Sequence, residues 1–120
     1  MSDYQLGAIE SRFADMIWEN EPISSAELAK RSQALLTWKK STTYTVLKRL
    51  CDKGIFQNEG GTVTSRISRQ AFYAIQSEKF VEETFAGSLP AFLTAFTARK
   101  NLTPEEVSLL RRMVDEYEED

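Results

Sequence analysis

Helical periodicity runs through most of this chain and is interrupted between residues 55 and 67 by two short extended runs flanking Gly60-Gly61. The arms are Ile55-Phe56-Gln57-Asn58-Glu59 and Thr62-Val63-Thr64-Ser65-Arg66-Ile67. Adjacent glycines supply the positive φ angles of a tight hairpin. In the second arm Val63, Ser65 and Ile67 alternate with Thr62, Thr64 and Arg66, which makes one face semi-apolar and the other polar. A hairpin this small is not stable alone. It must pack on helices, and the chain offers three before it.

Leu6, Ile9, Phe13, Met16 and Ile17 form the apolar stripe of a first helix, from about residue 6 to 18. Asn20, Glu21 and Pro22 end it, since proline cannot continue the backbone ladder. Ser24 and Glu27 have the spacing of a capping box, and Ile23 and Leu28 that of a hydrophobic staple. They predict a second helix running to about residue 34. Trp38 follows as a core or hinge anchor. Thr43, Val46, Leu47 and Leu50 then mark the buried face of a third helix. Its other face carries Ser41, Tyr44, Thr45, Lys48, Arg49 and Asp52. Gly54 suits the left-handed C-terminal position, with Lys53 favourable in the last turn.

After the hairpin, Ser68 can cap a fourth helix over about residues 69–86, carrying Phe72, Ile75, Phe80, Val81 and Phe85. A break near Gly87 and Pro90 precedes Leu89, Phe92, Leu93 and Phe96, again at helical spacing. Leu102-Thr103-Pro104-Glu105-Glu106-Val107 repeats the staple and capping box, with proline at the first helical position. Val107, Leu110, Val114 and Tyr117 continue it as a seam of coiled-coil type, and an acidic tail that frays follows.

Composition removes much chemistry. The 120 residues include no histidine and one cysteine, Cys51, so histidine-based catalysis, an intrachain disulfide and a cysteine-cluster metal site are excluded. No cofactor is expected. The glycines at 7, 54, 60, 61 and 87 make no phosphate-binding spacing. Glu82-Glu83 and Glu105-Glu106 read as solvated helix surface, so an enzyme is not expected. No apolar run approaches a membrane span. The start, MSDYQLGAIE, lacks the pattern of a signal peptide. A lone thiol fits a reducing cytoplasm, and beside Asp52 it reads as a quiet packing group.

The formal net charge of −3 conceals an asymmetry. Residues 1–69 carry a net +2 and residues 70–120 a net −5. Lys30, Arg31, Lys39, Lys40, Lys48, Arg49 and Lys53 face only Asp52 within residues 30–53. A basic block can be a solvated helical face. Set on the third helix and followed at once by a hairpin, it instead suits a winged helix-turn-helix binding double-stranded DNA. In such a module a helix enters the major groove and the wing holds phosphates. Ser41, Thr42, Tyr44 and Thr45 are the candidates for bases or phosphates. Lys48 and Arg49, one turn on, are candidates for phosphate contacts, as is Arg66 in the wing. Tyr44 can touch a base or simply cover helix surface.

The expected fold is therefore mainly α, with a winged helix DNA-binding domain over residues 1–69 and a helical dimerisation domain over residues 70–120. A winged domain is complete by the end of the hairpin, so the Phe-rich helices beyond it have little to pack on. An apolar face of that kind marks an interface, and a homodimer covers it most economically. The candidate interface residues are Phe80, Phe85, Leu89, Phe92, Leu93, Phe96, Val107, Leu110, Val114 and Tyr117. The competing reading is a winged-helix protein-interaction module without specific DNA binding, motivated by Tyr44 and the acidic balance.

The chain also resembles the penicillinase-repressor family of winged-helix regulators, over about residues 6–118. The resemblance rests on Leu6-Gly7 with Glu10, Trp18, Trp38, Thr42, Thr45, Arg49-Leu50, Lys53-Gly54, Phe85-Ala86-Gly87-Ser88 and Leu102-Thr103-Pro104-Glu105-Glu106. It implies a homodimeric transcriptional repressor of antibiotic-resistance (β-lactamase-type) genes on a palindromic operator. Ser41, Thr42, Tyr44, Thr45 and Arg49 match the family's DNA-contacting helix. It also implies cleavage triggered by a membrane-bound metalloprotease sensor, at the bond matching Ala95–Phe96. Four positions depart from the pattern. Lys39-Lys40 replace a frequent Ser-Pro, which adds two charges near the DNA and leaves Ser41 to cap a later-starting third helix. Tyr44 stands where a basic residue is common, and Ala95 where asparagine is usual. The paired-cysteine tail of copper-responsive relatives is absent.

Overall fold

A computed structural model describes residues 6–118. The expectations for Met1–Gln5 and for the last two residues of the acidic tail fall outside the described residues. The described residues fall into two compact units, divided between Ser77 and Glu78.

The first unit holds α1 (Ala8–Asn20), β1 (Ile23–Ser24), α2 (Ser25–Leu36), α3 (Lys40–Asp52), β2 (Phe56–Glu59), β3 (Thr62–Ser65) and the first turns of α4 (Arg69–Phe85). It is a winged helix, three helices closed by an antiparallel sheet of order β1-β3-β2. The hairpin lies where the glycine pair predicts it, with Gly60 at φ 59° and Gly61 at φ 87°. Glu59 pairs with Thr62 at its tip and Phe56 with Ser65 at its root.

The third strand is a feature the sequence reading lacked. Ile23 pairs with Val63, and Ser24 with Thr62. Two residues are too few to show a period, and both already read as the start of α2. They serve both purposes. Ser24 Oγ accepts the Glu27 N–H at 3.0 Å, so the cap forms. The reciprocal half of the expected capping box does not, because the Glu27 carboxylate turns to Arg31 Nε at 3.1 Å. α2 runs to Leu36, two residues past the expected end, and closes on Thr37 in the left-handed region at φ 57°.

α3 also differs at its start. The expectation had Ser41 as the cap. The helix instead begins at Lys40 with an extended Lys39 as N-cap and no side-chain cap. The Thr43 N–H closes the first turn on the Lys39 carbonyl at 3.1 Å, so Ser41 lies inside that turn. Gly54 takes the left-handed φ of 83° that ends the segment.

Phe13, Ile17, Leu28, Leu47, Leu50, Ile55, Phe56, Val63 and Phe72 form the core, each almost wholly buried. Trp38 packs against it with its ring 5.1 Å from Phe13, an anchor at the turn between α2 and α3. Burying apolar area at roughly 25 cal/mol per Å² is what holds so small a sheet to its helices.

The second unit holds the rest of α4, α5 (Leu89–Thr97) and α6 (Pro104–Glu116). Ser68 caps α4 through the Ala71 N–H at 3.1 Å. Ala86 (φ 50°) and Gly87 (φ 80°) end it. Pro90, expected in the break, lies in the first turn of α5, where no intrahelical N–H is needed. The capping box of α6 is complete, with the Thr103 hydroxyl accepting from the Glu106 N–H and the Glu106 carboxylate from the Thr103 N–H. Tyr117, expected to continue the helical seam, is outside it. It is the C-cap, at ψ 128°.

Candidate nucleic-acid interface

The buried face of α3 decides what its other face can do. Thr43, Val46, Leu47 and Leu50 are inside, so Ser41, Thr42, Thr45, Lys48 and Arg49 are exposed together on the opposite side. Lys39 and Lys40 are exposed at its N-terminal end. Thr45 Oγ1 donates back to the Ser41 carbonyl at 2.9 Å. Its free lone pairs and methyl group stay on the surface, the equipment for a short-range contact with a base or phosphate.

The cations are held differently. Lys48 Nζ lies 3.2 Å from Asp52 in a highly exposed pair one turn along the helix. Such a pair exchanges readily with another anion, since exposed bridges contribute about 0–1 kcal/mol. Arg49 Nη1 lies 3.0 Å from Glu10 Oε2, which joins α3 to α1. Arg66 is exposed, one residue beyond β3. Its backbone N–H donates to the Ile55 carbonyl at 2.8 Å, which puts it at the root of the wing and not at its tip.

Tyr44 is half-buried. Its hydroxyl reaches Ser25 Oγ at 3.3 Å, and the Ser25 N–H donates to the Gly61 carbonyl at 2.8 Å. α3 and the turn of the wing therefore meet at one residue, Ser25 at the start of α2. No spacing in the sequence shows what Ser25 and Glu10 hold, because their partners lie 19 and 39 residues away.

A shallow groove of about 370 Å³ lies beside this face, lined by Tyr44, Leu47, Lys48, Cys51 and Asn58. Burial pushes the Cys51 thiol above its ordinary value, and the Asp52 charge adds to this against a smaller opposing effect of Lys48. A thiol held protonated is a poor nucleophile. Among the described residues no cluster of acidic and cysteine side chains could hold a metal ion, and no helix is long and apolar enough to cross a membrane.

In the second unit the Phe rings meet one another. Phe92 lies 6.0 Å from Phe80, 5.6 Å from Phe85 and 6.0 Å from Phe96. Phe80, Leu89 and Phe96 nonetheless remain about half exposed, while Leu93, Val107 and Leu110 are more covered. On α6, Val114 is 74 % exposed, and Leu109 and Met113, which the expected seam omitted, are 55 % and 66 % exposed. No described residue of this unit is buried.

The chain is 26 % identical, over 117 residues, to the penicillinase repressor of Bacillus licheniformis, a match covering 94 % of this chain and 91 % of that protein. The profile of the penicillinase repressor family matches residues 6–116, from the start of α1 to the end of α6. Winged helix, Phe-rich helical unit and profile coincide along the same stretch, and the chain belongs to the penicillinase repressor family.

Proposed function

We propose that the protein is a DNA-binding transcriptional repressor that acts as a homodimer on a palindromic operator, with α3 in the major groove. The observation that carries this reading is the outer face of α3. Thr42, Thr45, Lys48 and Arg49 are all exposed on it, with Lys39 and Lys40 at its leading end, and Tyr44 ties it to Ser25, whose backbone N–H holds the turn of the wing. Ser41, Thr42, Tyr44 and Thr45 are the base-facing candidates. Lys39, Lys40, Lys48, Arg49 and Arg66 are the phosphate-facing ones.

The unburied second unit supports the dimer. Its apolar side chains need a cover, and a second copy supplies an identical surface. Two α3 helices would then read half-sites about 34–36 Å apart or at a multiple of that. Cleavage at Ala95–Phe96 by a membrane-bound metalloprotease sensor is the corresponding route of release. Both residues are exposed within α5, so a protease that reached them would need to unwind the helix locally.

The test is binding of the purified protein to fragments of its own upstream region at two salt concentrations, with its mass measured in solution. The expected result is a dimer with one two-fold symmetric footprint and an affinity that falls steeply with salt. A dimer with only weak, sequence-independent binding would overturn this reading in favour of a protein-interaction module.

A further inference from the structure

We propose that Glu10 is a positioning residue for DNA recognition, holding the Arg49 guanidinium in place on α3 before DNA arrives. The inference rests on the DNA-binding reading above and adds to it a residue on a helix that reading does not use.

Thr42, Thr45 and Arg49 follow one another at spacings of three and four, so they share one stripe of α3. Arg49 continues the hydroxyl stripe of the proposed contact face. Its side chain is 52 % exposed, whereas that of its partner Glu10 is only 22 % exposed. The acid is the anchored member of the pair and the base the presented one. Glu10 is itself oriented from the other side, because Oε1 accepts the Gly7 N–H at 3.4 Å at the start of α1. That leaves Oε2 for Arg49 Nη1 at 3.0 Å. A guanidinium carries five N–H donors in a rigid fork, and this bond engages one edge of it. The rest of the fork is available to a phosphate.

Two effects of Glu10 on DNA oppose each other. Its charge repels phosphate and weakens binding to any duplex. Its grip removes the ordering cost of a long side chain at the moment of binding, which helps only where Arg49 has a defined target. Their balance predicts that Glu10 raises discrimination between duplexes. As a stability device the pair would matter less, since the Arg49 end of it is half in solvent and solvent screens such pairs.

The experiment uses the full chain and two probes: a duplex enriched by the wild-type protein from a random-sequence library, and a scrambled duplex of equal length and composition. Glu10→Gln should weaken binding to the enriched duplex by about three- to tenfold and leave the scrambled duplex unchanged or bound more tightly. Arg49→Ala should lose at least as much, and the double variant no more than Arg49→Ala. Glu10→Asp keeps the charge and shortens the reach, so it should resemble Glu10→Gln; its melting temperature should match wild type and serves as the folding control. Tighter binding of Glu10→Gln to the enriched duplex, wild-type behaviour of Glu10→Asp, or independent losses in the double variant would each overturn the positioning role. If the wild type enriches no duplex, the DNA-binding reading itself fails and takes this proposal with it.

Discussion

Trp18 Nε1 donates to the Ile67 carbonyl at 3.0 Å, joining the end of α1 to the chain just beyond the wing. The same ring lies 5.1 Å from Phe56 and 5.3 Å from Phe72. One side chain thus closes the winged unit by holding its first helix to its sheet and to the start of α4. Replacing Trp18 by Phe keeps most of the ring contacts and strands the half-buried carbonyl, which should cost about 1–2 kcal/mol. Trp18→Ala also leaves a cavity and should cost about 3–5 kcal/mol. Urea unfolding measures both, and a Phe variant as stable as wild type would contradict the importance of the hydrogen bond.

Thr43 Oγ1 and Ser32 Oγ are buried on facing helices of the helix-turn-helix without a hydrogen-bond partner. A buried hydroxyl without a partner destabilises the fold, and an apolar isostere removes that penalty. Thr43→Val should therefore stabilise the protein by about 1 kcal/mol, seen as a rise in the melting temperature. A fall would mean that the hydroxyl is satisfied in solution.

Gly60 and Gly61 both have positive φ, but they are not equivalent. At φ 59° Gly60 sits in the left-handed region that asparagine also adopts, whereas Gly61 is at 87°. Gly60→Asn gives the Asn-Gly pair favoured in tight hairpins and should be neutral or stabilising. Gly61→Ala should destabilise by about 1 kcal/mol. Thermal melting of the two variants should order them Gly60→Asn, wild type, Gly61→Ala.

Tyr73 donates its hydroxyl to Asp15 Oδ1 at 3.2 Å. Burial raises its proton affinity above the ordinary value of 10.0, and the adjacent Asp15 charge and hydrogen bond add to this against a smaller opposing effect of Arg69. The folded protein therefore holds this proton more tightly than the unfolded chain. The contribution is fully present below pH 10.0 and is lost as pH rises through the raised value. Melting temperature followed from pH 8 upward should fall more steeply above about pH 10 in wild type than in Tyr73→Phe. Parallel curves would remove Tyr73 from the alkaline transition.

What could be read in the linear chain is what is satisfied within a few residues. The cap of Ser24 on Glu27, the complete box of Thr103 and Glu106, the glycine pair of the hairpin and the apolar spacing of Thr43, Val46, Leu47 and Leu50 each reach no further than two helical turns. Local chemistry therefore specified the order of elements and which face of α3 is left outward. Where a local rule had two claimants it was less reliable. Glu27 had both Ser24 and Arg31 within reach and took Arg31. Ile23 read as a staple, and only the arrival of Val63 made it a strand as well.

The tertiary structure decided how the outward face of α3 is held. Glu10 and Arg49 are 39 residues apart, Trp18 and Ile67 49, and Ser25 and Tyr44 19. None of these pairs has a spacing that a helix or strand period could reveal. Each depends on the apolar core holding α1, α2, α3 and the sheet together, because burial of apolar area is non-directional while a hydrogen bond needs its partners within about 3 Å and in line. The sequence by itself determined a winged helix followed by apolar helices and the side chains α3 can offer. The packed structure determined which of those side chains are tied, and to what.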